Sequence, residues 1–165
     1  MAELTVLDEK LAEILGLAQA AQQATDKVIG LVEDDQVKST LQQMNEEAAE
    51  TEQRATQLAD GLEGKKTALL DKARETKSEA TEMMRTYLGK DADGLDGLEF
   101  LLMAEAGELG HVEIAHTLSQ RSQGESVTDV RELLEWAQPI QERHFTQTRE
   151  AALALAQQED PDETE

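Results

Sequence analysis

At 165 residues the chain has the length of one domain and enough material to bury a real core. Its 36 acidic residues against 15 basic ones give a formal charge of −21, which argues against nucleic acids and anionic membranes as partners because both are polyanions. The absence of cysteine removes disulfides, thiolate nucleophiles and thiolate metal sites.

Ala, Leu, Glu and Gln abound, whereas aromatic residues make up 2% and there are two prolines, a composition that favours helix over sheet. The opening MAELTVLDEKLAEIL is acidic and amphipathic, unlike a signal peptide, and no apolar run approaches the roughly 18 residues of a membrane span. A cytoplasmic protein without membrane or nucleic-acid contacts is expected.

Leu7, Leu11, Ile14, Ala18, Ala21, Thr25, Val28 and Val32 recur at three- and four-residue steps. At about 100° per residue they form one stripe, predicting a first helix over roughly residues 3–33. After a turn at Asp34 and Asp35, Val37, Leu41, Met44, Ala48, Thr51, Ala55, Leu58 and Leu62 repeat the pattern. This second helix ends where Gly61 and Gly64 invite a left-handed cap. So short a turn predicts an antiparallel hairpin.

Residues 65–88 carry a narrower stripe of Leu69, Ala73, Ala80, Met83, Met84 and Tyr87, predicting a helix on the outside. The run DADGLDG, 91–97, is a break with a cap, after which Leu98, Leu102, Glu105, Leu109, Val112 and His116 share a face. SQGES, 122–126, breaks again, and Ser126 with Asp129 predicts a capping box for a last helix. Its stripe is Val130, Leu133, Leu134, Ala137, Gln141, His144, Thr148, Ala151 and Leu155. Residues 157–165 are acidic and Pro-containing, a tail expected to be disordered beyond a single 1–156 domain. Two long hairpins joined by a partly helical connection predict an all-α four-helix bundle with one long crossover containing an additional helix.

Large aliphatics occupy the ends of each inner face, while the middles are small or polar: Gln22 and Thr25, then Ala48 and Thr51 with Glu47, Glu50 and Glu52 beside them, then Glu105 and Glu108, then Gln141 and His144. Folding the last hairpin about residue 124 places His144 beside Glu105 and Gln141 beside Glu108. His116, with Glu113 one turn earlier, belongs to another layer. Carboxylates and imidazoles from facing helices are how such bundles hold iron or manganese, typically with Glu-x-x-His on two of them. Here the last helix reads Gln141-x-x-His144 and the second Glu50-x-x-Gln53, each with an amide at one of the two positions.

The segments ETEQRATQLADGLEGKK, 50–66, and HVEIAH, 111–116, resemble the ferritin-like superfamily, nearest its small bacterial stress-associated members. The resemblance spans most of residues 10–156. It implies the crossover bundle, a homodimer and a carboxylate-rich metal centre in a stress or metal-handling role. By that resemblance Glu50 and Glu113 match family acids, His111 a histidine, Gln22 the first helix's acid, and Glu142 lies near the last helix's acid. The second helix's histidine falls on Gln53 or Arg54, and a guanidinium at Arg54 can replace a cation's charge.

Two readings follow. In the first, an iron or manganese site uses Glu105, Glu113, Glu50 and His144, with Glu108 and Gln141 behind them and His116 as a further candidate; di-metal oxidoreductase chemistry is open to such a site. In the second, Glu105 and His144 satisfy each other, no metal is bound, and the acidic bundle acts as an interaction or structural protein with an unidentified partner.

Overall fold

The computed structural model describes residues 3–124 and 126–164. They form five helices: α1 Val6–Ile29, α2 Asp35–Gly61, α3 Lys66–Tyr87, α4 Gly94–Arg121 and α5 Val127–Ala156. No helix among the described residues is long and apolar enough to cross a membrane.

Local signals start the helices. Thr5 caps α1 in a reciprocal box, its hydroxyl accepting from the Asp8 amide while the Asp8 carboxylate accepts from the Thr5 amide. Asp93 and Asp96 do the same for α4, and Asp34 caps α2. The box expected at Ser126 and Asp129 does not form. Ser126 has ψ near 6° rather than the extended backbone a capping residue needs, and its side chain makes no cap bond. The first hairpin turn lies at 30–33, with Asp34 as cap rather than as turn. Gly64 takes the positive φ of 76° expected of one glycine in that stretch, while Gly61 stays helical.

Contact partners fix the helix directions. Asp8, Gly16 and Gln23 of α1 meet Lys65, Ala73 to Lys77 and Thr81 in step, so α3 runs parallel to α1. Gly97 of α4 lies against Val28 and His111 near Glu13, so α4 is antiparallel to α1. Met44 and Glu47 of α2 meet Thr148 and His144 of α5, again antiparallel. The helices α1, α2, α5 and α4 therefore close a ring in which every neighbour is antiparallel, and α3 packs outside it, chiefly on α1. By running back along α1, α3 carries the chain from one end of the bundle to the other. Leu69, Ala73 and Thr76 are its buried residues; of the predicted stripe, Leu69 and Ala73 are covered, Ala80 and Met84 are half-buried, and Met83 and Tyr87 are exposed because α3 lies on the ring over one narrow face only.

α1 and α3 touch backbone to backbone at Gly16. A Cβ there would stand 2.4 Å from the Ala73 carbonyl oxygen and 2.8 Å from Thr76 Cβ, so only glycine fits. Lys65 adds a 2.6 Å ion pair to Asp8 at the start of both helices. Burial raises the Asp8 pKa, but the bonds from Lys65 and Thr5 outweigh it and hold the carboxyl below its usual range.

The apolar core gathers toward the two ends. One cluster holds Val28, Leu41, Met44, Leu98 and Leu101; two others, toward the opposite end, hold Leu11, Leu15, Leu69 and Ala55, and Ile14, Val112, Val130 and Leu134. Between them the bundle has a polar waist.

Candidate functional site at the bundle waist

Four side chains from three helices meet at the waist around His144. Glu105 and His144 are 1% and 3% exposed, a depth that permits ionisable groups only when they are paired. His144 Nε2 lies 2.6 Å from Glu47 Oε2 on α2, and its Nδ1 lies 3.6 Å from Glu105 Oε2 on α4. Gln141, one turn before His144, donates Nε2 to Glu105 Oε2 at 2.7 Å and to Glu108 Oε2 at 3.2 Å. Arg143 pairs with the other oxygen of Glu47, which also accepts from Gln43. A chain of polar contacts thus runs from Glu47 through His144, Glu105 and Gln141 to Glu108.

Its electrostatics follow from that geometry. Burial lowers the His144 pKa, but the Glu105 carboxylate and the hydrogen-bonded Glu47 outweigh it, so the imidazole holds its proton above the usual histidine value. Burial pushes the Glu47 carboxyl up, and the bonds from His144, Gln43 and Arg143 bring it below its usual range. Glu108 goes the other way. Burial first, then the nearby Glu105 charge, push it well above the ordinary carboxylate value, with Gln141 opposing.

These shifts set a pH dependence of stability. The His144 contribution is fully present below about pH 6.5 and is lost as pH rises through the raised folded value. Glu108 disfavours the folded state increasingly as pH climbs above 4.5, whereas the Glu47 contribution is lost as pH falls through its lowered folded value. Thermal melts followed by circular dichroism should therefore give the highest Tm at mildly acidic pH and a decline toward pH ~9. His144→Gln should flatten that alkaline decline; an equal decline in the variant would assign it to other groups.

Not every predicted site residue joins this layer. Glu50 is exposed and pairs with Arg54 at 2.7 Å along the α2 surface. Arg54 lies 4.1 Å over the Trp136 ring, so its charge is spent outside the waist, and the guanidinium that neutralises a waist carboxylate is that of Arg143. Glu113 is exposed, and His116 bonds Gln138 at 2.9 Å in the next layer. His111 approaches Glu13 at 3.0 Å, and Glu142 is exposed, accepting from Gln138. Gln22 reaches Glu52 rather than His144: Gln22 and Gln19 donate to its two oxygens at 2.6 and 3.0 Å. Glu47 and Arg143 belong to the waist and are in neither set of site residues expected from the sequence. Glu47 does share a face with Met44 and Thr51, at steps of three and four, which is the signal that marks it.

Gly107 and Gly110, inside α4 near its carboxylates, mark neither a close helix approach nor a bulge. α4 is an uninterrupted α-helix, and a Cβ at either position would meet nothing within 4 Å. Gly107→Ala should accordingly stabilise the fold by about 0.5–1 kcal/mol in urea denaturation, from helix propensity alone. A loss of stability would reveal a packing role for that glycine.

Among the described residues no group of three or more Asp, Glu or His side chains is arranged to hold a metal ion. The donor set shows why: both nitrogens of His144 face carboxylates, and an amide stands between Glu105 and Glu108. As arranged, these residues do not fit iron or manganese. Compared with protein-family models, curated proteins and solved structures, the chain matches none.

Proposed function

We propose that this chain is a ferritin-like crossover bundle whose waist is held by a buried imidazolium, and that it works as a metal-free binding protein. The antiparallel ring with one full-length crossover supports the ferritin-like architecture, together with the resemblance of residues 50–66 and 111–116. One observation carries the metal-free reading: His144 is bracketed by Glu47 and Glu105. A metal-bound histidine turns one unprotonated nitrogen to the ion and donates the other N–H to an acceptor. A histidine proton on each side, with Arg143 beyond Glu47, supplies the positive charge an ion would bring. Elemental analysis of protein purified after growth with iron and manganese should then find far less than one metal per chain.

A second reading is favoured by one detail. Glu105 Oε2 and Glu108 Oε2 both lie within hydrogen-bond distance of the same Gln141 Nε2, so two hard oxygen donors converge beside an imidazole. In that reading Glu105, Glu108 and His144 take iron or manganese when His144 loses its proton and Gln141 turns away. It predicts stoichiometric metal, abolished by Glu105→Ala; absence of metal in both parent and variant supports the first reading.

A further inference from the structure

On the α3 side of the waist, a cleft of about 240 Å³ opens between α1, α3 and α4. Its walls are almost wholly apolar, with Ala20, Ala24, Ala80, Met84, Phe100 and Leu101 among them. The alanines leave the space that larger side chains would fill. Met83 and Met103, both lining residues, are 51% and 38% exposed, adaptable thioethers where the cleft meets solvent. Gly107 leaves a further stretch of wall bare, since nothing lies within 4 Å of the Cβ it lacks.

Polar lining is confined to Thr81, His111, Glu105 and Glu108. The two carboxylates differ in how they are satisfied. Glu105 faces His144, whereas the donor to Glu108 is the neutral amide of Gln141, and no basic side chain among the described residues makes an ion pair with Glu108. At the edge of an apolar space the ionised form of Glu108 has no cation of its own, and an ammonium from outside would supply one, with the carboxyl proton released to solvent. The formal charge of −21 draws cations toward the chain and repels anions. Hydrated inorganic ions and polyamines gain nothing from alanine, methionine and phenylalanine walls, whereas an alkyl chain does.

From the cleft and its acidic edge we infer a binding site for a small amphiphilic amine, its alkyl body between α1, α3 and α4 and its ammonium on Glu108. The inference deepens the binding-protein reading and rests on it. Metal content tests that reading separately, so the two can fail apart.

Calorimetric titration of the full chain with n-hexylammonium, 1-hexanol and hexanoate tests it. Hexylammonium should bind at least tenfold more tightly than hexanol, and hexanoate should not bind. The near-isosteric Glu108→Gln should weaken hexylammonium at least tenfold and leave hexanol unchanged, while Glu79→Gln, an exposed charge on α3, should alter neither. Ala80→Phe, which fills the cleft, should abolish both; should it not fold, the Glu108→Gln comparison decides. Equal affinity for hexanol and hexylammonium, or equal losses in Glu108→Gln and Glu79→Gln, would overturn the assignment. So would sedimentation showing a dimer that Ala80→Phe dissociates, because the cleft would then belong to a second copy.

Discussion

His144→Ala is expected to cost about 3–5 kcal/mol of folding stability, the usual consequence of removing one partner from a buried ion pair. For a chain of this size that corresponds to a fall in Tm of roughly 10 °C. The loss comes mainly from what remains. Glu105, 1% exposed, keeps Gln141 as its donor but loses the only basic group paired with it among the described residues, and Glu47 keeps only Arg143 and Gln43. Neutralising Glu105 in the same background should therefore recover part of the loss. Urea denaturation of His144→Ala, Glu105→Gln and the double variant measures it: the double variant should be more stable than the sum of the singles implies. Additive losses would mean that the imidazole and the carboxylate do not interact. His116→Ala, which removes a contact to the Gln138 amide in a partly exposed layer, should cost about 1 kcal/mol.

Gly16→Val should be the most damaging change outside the waist. The obstacle is backbone, the Ala73 carbonyl oxygen at 2.4 Å and the Lys77 nitrogen at 3.1 Å from a new Cβ, so no rotamer change relieves it. Either α3 moves away from α1, uncovering Leu69 and Ala73, or the variant unfolds. The expected cost is at or above the ~1–3 kcal/mol usual for overpacking, despite the better helix propensity of valine. Hydrogen exchange should show α3 losing protection before the four ring helices. Protection of α3 equal to the parent's would contradict the close approach.

Gly16 and Gly107 show what the sequence could and could not reveal. Both are glycines in helix interiors, where glycine costs about 1 kcal/mol, and Gly107 is the one with Glu105 and Glu108 beside it. The structural demand falls on Gly16, since what matters is a neighbour 57 positions away, Ala73, that periodicity does not register. The stripes themselves were legible because burial follows the 3.6-residue period. Leu11, Ile14, Ala18, Ala21, Thr25, Val28 and Val32 are all buried, and so are the polar Glu105, Gln141 and His144.

The waist was legible within the α4/α5 hairpin, because a short loop fixes which residues face each other. Pairing across α2 and α5 has no such loop to set its register. Nothing in the sequence therefore says that Glu47, rather than Glu50 or Glu52 beside it, is the closest partner of His144. Glu50 and Glu113 were named both by their place near the polar middles and by the family resemblance, and a motif match does not report which way a helix turns; both side chains are exposed. At Ser126 the spacing to Asp129 was right and the backbone conformation was not.

Nitrogen-15 NMR of the histidine side chains tests most directly the claim that the waist is closed by an imidazolium. Assigned by loss of its signals in His144→Gln, His144 should release its second proton at a pH above the ordinary histidine value, with Nε2 hydrogen-bonded to Glu47, and should be unchanged by stoichiometric manganese or ferrous iron. Release of that proton at or below the ordinary value, with signals that added metal shifts or broadens at one equivalent, would contradict it.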